Sequence, residues 1–155
     1  MAIRQDHIAA SSALRLHATC IAIGGAGLLL RGPSGAGKSD LALRLIDGGA
    51  LLVADDQVLL AVEGERLIAR APAALAGLLE VRGLGILAVP AAAQAPLALV
   101  ADLVPAAVER LPEPRQAVIA GIALPAILLN PFEPSAPAKL RLAVRALPSD
   151  IMRRI

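Results

Sequence analysis

Gly32-Pro33-Ser34-Gly35-Ala36-Gly37-Lys38-Ser39-Asp40 is the stretch that decides how this chain is read. Its first eight residues complete the pattern G-x-x-x-x-G-K-[ST], a P-loop. Glycines let the backbone wrap closely around phosphate, so that several N–H groups point at its oxygens. The helix that follows adds the positive end of its dipole. In this pattern Gly32, Pro33, Ser34, Gly35, Ala36 and Gly37 form the cradle, Lys38 reaches the β- and γ-phosphates, and the Ser39 hydroxyl serves Mg2+. Lys38 is one of two lysines in a chain that otherwise uses arginine. A planar guanidinium does not replace a compact ammonium at that position.

The flanks fit the loop. Leu28 to Arg31 reads as an apolar strand before it, after the turn signal Gly24-Gly25-Ala26-Gly27. Lys38 to Asp47 reads as a helix with Leu41, Ala42, Leu45 and Ile46 on one face, ended by Gly48-Gly49. Leu14 to His17, Cys20 to Ile23 and Leu51 to Ala54 read as strands, the last delivering Asp55 and Asp56 at its end. Gln57 to Val62 and Arg66 to Arg70 flank Glu63-Gly64-Glu65 as a hairpin. Pro72 to Leu79 reads as a short helix with Pro72 at its first position. Further strands are expected at Ile86 to Val89, Leu97 to Leu103, Ala117 to Ile119 and Ala126 to Leu129, and a last helix from about Ala138 to Ala146, before Pro148. The mixture is α/β, in one domain over residues 1–155.

Composition limits the function classes. Hydrophobic residues make up 57% and aromatics 1%, so the core must be Leu, Ile, Val and Ala. The uncharged stretches Gly83 to Ala101 and Gln116 to Phe132 approach the length of a membrane span, but Pro90, Gln94 and Pro96 interrupt the first and Gly121, Pro125, Asn130 and Pro131 the second. Both read as short buried strands, and Met1 to Ala10 has no signal-peptide core after it. The expectation is a soluble, cytoplasmic protein. A net charge of +2 and almost no aromatics to stack on bases argue against a nucleic-acid partner; Arg153-Arg154 reads as a solvated tail. Cys20 is the single cysteine, read as a small buried apolar residue.

A P-loop binds; the acidic residues must say what is done. Asp55 and Asp56 repel one another, so one should be tied to a metal or cation, and the other is then free to act as a general base. A polar turn between strands is the plain alternative. Glu80, between Leu79 and Val81, is either a ligand or the exposed side of an alternating strand, with Arg82 taken to point to the other face. His17 on its own is more often structural than catalytic.

The succession of His17, GPSGAGKSD at Gly32 to Asp40, LLVADDQV at Leu51 to Val58, and LEVRGLGIL at Leu79 to Leu87 resembles HPr kinase/phosphorylase, in its C-terminal catalytic domain. The likeness runs from about Arg15 to Val89, and LEVRGLGI is its most specific piece. It implies a short form without the family's N-terminal domain, as in alphaproteobacteria. It also implies the phosphoenolpyruvate-carboxykinase-like P-loop kinase fold: a mixed sheet with flanking helices. The implied activity is ATP-dependent phosphorylation of a serine of an HPr-like phosphocarrier, with phosphorolysis of the phosphoserine as the reverse reaction. Carried over, Ser39 and Glu80 would hold Mg2+, Asp56 would take the serine proton, and Asp55 would support the metal or His17. Lys38 would stabilise charge on the transferring group, and Arg110, in Glu109-Arg110-Leu111, would stand for the family's arginine beyond the metal segment. The segment Asn130 to Pro137 departs from the family's basic, glycine-containing one, which bears on the phosphorolytic direction. A homo-oligomer is left open, as is pyrophosphate as donor. Two other readings stand beside the protein kinase: a small-molecule kinase with a closed pocket, and a nucleotide-binding regulator without catalysis.

Overall fold

Why so many runs of this chain are apolar without a break becomes clear from the sheet. In an alternating strand one face can be polar, but strands covered on both sides must be apolar throughout. A computed structural model describes residues 13–147 and places the central strands in that situation, burying Thr19–Ile23, Ala26–Arg31 and Leu51–Ala54 almost throughout. The expectations for Met1 to Ala10 and for Arg153-Arg154 lie outside the described residues.

The elements in chain order are β1 (Leu14–Leu16), β2 (Thr19–Ile23), β3 (Ala26–Arg31), α1 (Lys38–Asp47), β4 (Leu51–Ala54), β5 (Val58–Glu63), β6 (Arg66–Arg70), β7 (Leu78–Val81), β8 (Gly85–Ala88), β9 (Gln94–Leu103), β10 (Arg115–Ile119), β11 (Ile122–Leu129) and α2 (Ala136–Ala146). Nine strands form one mixed sheet in the order β1-β5-β6-β9-β3-β2-β4, with β11 on β9 and β10 on β11. The long β9 is its axis. One edge runs parallel to β3 over Leu97 to Asp102; the other pairs first with β6 and then, in parallel, with β11.

Successive residues of the central strands feed two cores. Leu29, Cys20 and Val100 point to one side, where β5, β6, β10 and β11 close over them. Leu28, Leu30, Ile21 and Leu99 point to the other, under Leu41 and Leu45 of α1, Ala136 and Leu140 of α2, and Leu79 and Val81 of β7. Both described helices thus cover the same face. Cys20 is fully buried, and burial pushes its thiol up to about 12. Among the described residues no helix is long and apolar enough to cross a membrane.

α1 has the expected bounds. Gly49, at φ 108°, turns the chain where the N–H groups of Gly48 and Gly49 reach back to the carbonyls of Leu45 and Ile46. Arg141 of α2 donates to the Arg44 and Leu45 carbonyls, adding a cation at the negative end of the helix. α2 begins two residues earlier than expected, and Leu147 is extended, as the residue before a proline should be.

Three expectations are corrected. The helix over Pro72 to Leu79 is a single 3-10 turn, Ala73–Leu75, because Leu79 and Val81 are taken into a strand that buries them. Strand β9 starts at Gln94, not Leu97, and runs through Pro96, which falls where pairing to β6 ends. Strand β11 starts at Ile122 and runs through Pro125, one residue before its pairing to β9 begins at Ala126. Each proline lacks its N–H where the ladder changes partner, so a strand tolerates it there.

Candidate active site

Strand β3 ends at Arg31, and the loop turns at once. The Ala36 N–H closes a turn on the Pro33 carbonyl at 3.0 Å. Gly35 and Gly37 have φ of 84° and 97°, and Gly37 occupies the N-cap of α1 with no side chain on the first N–H groups. Those donors are left to a ligand. The Lys38 ammonium folds back onto its own loop, 2.6 Å from the Gly32 carbonyl and 2.9 Å from that of Pro33. Burial lowers its pKa, while the carboxylates of Asp56 and then Asp55 oppose the shift. A phosphate in the cradle offers that ammonium stronger, charged partners than two carbonyls.

The two aspartates part company. Asp55 is buried and accepts three hydrogen bonds: from the Ser39 hydroxyl at 2.7 Å, the Thr19 hydroxyl at 3.1 Å and the Glu80 N–H at 3.1 Å. It ties the P-loop helix, β2 and β7 together at one carboxylate. Asp56 points the other way, and His17 Nε2 lies 2.7 Å from its carboxylate. The side chains of His17 and Asp56 are 50% and 60% exposed. Asp56 is central in a three-residue turn, closed by the Gln57 N–H on the Asp55 carbonyl at 2.7 Å, with φ 68°. A γ-turn with positive central φ is the rare and strained form. Strain of that kind survives only where its surroundings fix it, and it gathers at functional sites. Here the Ala18 N–H on the Asp56 carbonyl fixes it.

Phosphate cradle and acidic end open into one cleft of about 470 Å³. Its lining brings His17, Asp56, Glu80 and Arg82 together with Ser34, Gly35, Lys38 and Ser39 of the loop and with Leu43 and Phe132. The structure thus brings together His17, the P-loop, Asp56 and Glu80, with Asp55 immediately behind Ser39. It does not bring Arg110 there: that side chain is exposed on the loop between β9 and β10 and takes no part in the cleft wall. The partner of His17 is Asp56, not Asp55. Arg82 lies on the cleft with Glu80: it follows β7 in the turn before β8, where strand alternation no longer sets its side. Thr19 was not foreseen; a hydroxyl opening the apolar run Thr19–Ile23 was its only signal. No three of His, Cys, Asp and Glu among the described residues form a metal-binding group.

The sequence matches the family described as HPr Serine kinase C-terminal domain over residues 8–93. It is 51% identical to the HPr kinase/phosphorylase of Clostridium tetani over 77 residues, which cover 49% of this chain and 25% of that one. To the HPr kinase/phosphorylase of Mycoplasmopsis pulmonis it is 40% identical over 74 residues, 48% of this chain and 24% of that one. The matches thus span about a quarter of the length of these curated relatives. Among solved structures, the Hpr(Ser) kinase/phosphatase from Coxiella burnetii superposes with a TM-score of 0.76 at 31% identity, over 85% of this chain and 94% of that one.

Proposed function

Because the chain belongs to the HPr Serine kinase C-terminal domain family, we propose that it is an ATP-dependent protein kinase that phosphorylates a serine of an HPr-like phosphocarrier in the cytoplasm. The observation that carries this reading is the pairing, in one cleft, of a phosphate cradle with an open carboxylate. The P-loop and Lys38 hold the phosphates of ATP, and Asp56 faces them from the His17 side. In transfer the serine oxygen attacks the γ-phosphorus and the bond to the β-phosphate oxygen breaks, releasing ADP. The serine proton passes to the Asp56 carboxylate, which His17 holds in direction. Ser39 and Glu80 are the residues that would hold Mg2+, which neutralises charge on the phosphates when bound. Asp55 fixes the Ser39 hydroxyl and sets the position of Glu80 through its N–H. The exposure of His17 and Asp56 supports an acceptor presented by a macromolecule over one enclosed in a pocket.

The test combines the protein with Mg2+, ATP and an HPr-like carrier, and locates the phosphate by mass spectrometry. Serine phosphorylation is expected, and Asp56→Asn should lower it by about a hundredfold to ten-thousandfold while ADP binds as before. Transfer that survives the substitution removes Asp56 from its role. Tight ATP binding with no transfer to the carrier sinks the protein-kinase reading.

A further inference from the structure

Phe132 is the one residue of the chain that is Phe, Tyr or Trp, and it is 60% exposed. Nothing in either core calls for it. It stands over the P-loop: its ring edge comes within 3.5 Å of where a Cβ on Gly37 would sit, with Pro131 at 3.4 Å. The segment that carries it is fastened down. The Phe132 N–H donates to Asn130 Oδ1 at 3.0 Å, and Arg44 of α1 donates to the Pro131 carbonyl at 2.5 Å and to Asp40 at 3.1 Å. An exposed aromatic held this firmly is a prepared surface, and the cleft it borders also takes in Leu43, one helical turn beyond Ser39.

The acceptor fixes one end of a bound nucleotide. The terminal phosphate must face Asp56 and His17, where the acceptor arrives, so the nucleoside leaves the cradle at the other end. We propose that Phe132 is the platform on which the nucleobase stacks, with Leu43 lining the same cleft. This rests on the nucleotide-binding reading of the cleft and adds to it a subsite for the base. Every base offers a π-face, so an aromatic platform favours a nucleotide over inorganic polyphosphate without selecting one base strongly.

The experiment measures ADP and pyrophosphate binding by titration calorimetry on the full chain, on Phe132→Ala and on Phe132→Tyr. Phe132→Ala is expected to weaken ADP by about fivefold to a hundredfold, the range for loss of a stacking aromatic. Pyrophosphate should stay within about twofold, because the cradle is untouched, and Phe132→Tyr should restore ADP. ADP affinity unchanged in Phe132→Ala overturns the proposal, and so does an equal loss for both ligands, which means a disturbed cradle. An unchanged ADP affinity with a raised KM for the carrier overturns it too, and gives the ring to the protein substrate. A wild-type chain that binds neither ligand overturns the phosphate-cradle reading and the base platform with it.

Discussion

Two hairpins follow one another in this chain and have opposite fates. Strands β5 and β6 lie inside the large sheet, β5 paired to β1 and β6 to β9, so both outer edges are satisfied. Strands β7 and β8 pair only with each other. All of β8 is exposed, and Leu84, Ile86 and Leu87 stand 74%, 66% and 42% open. The enclosed hairpin contributes core and nothing to the cleft; the free one presents Glu80 and Arg82 to it. A two-stranded hairpin is marginal by itself. β7–β8 is held by Leu79 and Val81 under α1 and by the Glu80 N–H on Asp55. It therefore owes its place to a few contacts, one of which belongs to the site it serves.

The sharpest way to break this contrast is in the side chains. Leu79→Ala should cost about 3 kcal/mol, as for other buried leucines, while Leu87→Ala on the facing strand should stay within about 0.5 kcal/mol. In β5–β6 both Leu60→Ala and Leu67→Ala should be costly, since both are buried. Urea denaturation of the four variants decides; a costly Leu87→Ala would show that β8 is covered in solution. Next comes the polar anchor. Asp55→Ala leaves two hydroxyls and the Glu80 N–H without their acceptor and should destabilise by about 2 kcal/mol. Hydrogen exchange at the Glu80 amide should quicken with it. Glu63→Ala, which removes only the exposed pair with Arg70, should cost under about 0.5 kcal/mol. Equal effects would deny that Asp55 fastens the free hairpin. The smallest effect compares the turns. Gly64 and Gly83 have φ of 67° and 91° with open space where a Cβ would go, so alanine at either costs torsional strain alone, about 1 kcal/mol. Thermal melts should not separate the two variants. Phosphate transfer should, falling for Gly83→Ala and holding for Gly64→Ala.

How far the sequence disclosed this molecule depended on whether the signal was local. α1 was legible to the residue because glycines stand at both of its ends and its apolar period is undisturbed. The β5–β6 hairpin was legible from Gly64 between two apolar runs, and membership of the family from LEVRGLGI. What escaped was decided by distant partners. Pro96 and Pro125 look like strand breakers until the ladder shows where their missing N–H falls. The apolar residues after Pro72 suit a short helix until β8 and the floor under α1 claim them. Within the site, the residue types were readable but not their pairings. That Asp55 turns inward to Ser39 and Asp56 outward to His17 depends on the γ-turn between β4 and β5. Arg110 could be aligned only loosely, because its loop between β9 and β10 has no periodic pattern to fix a register.

Position 56 has two independent filters on its alphabet. The backbone, at φ 68°, admits chiefly Gly, Asn and Asp. The proposed chemistry admits a carboxylate, which orients the acceptor hydroxyl and takes its proton. Only aspartate passes both. A saturation library selected first for solubility and then for transfer would shrink in two separate steps. Asparagine and glycine would survive the first, and glutamate, despite its carboxylate, would be lost before its chemistry was ever tried.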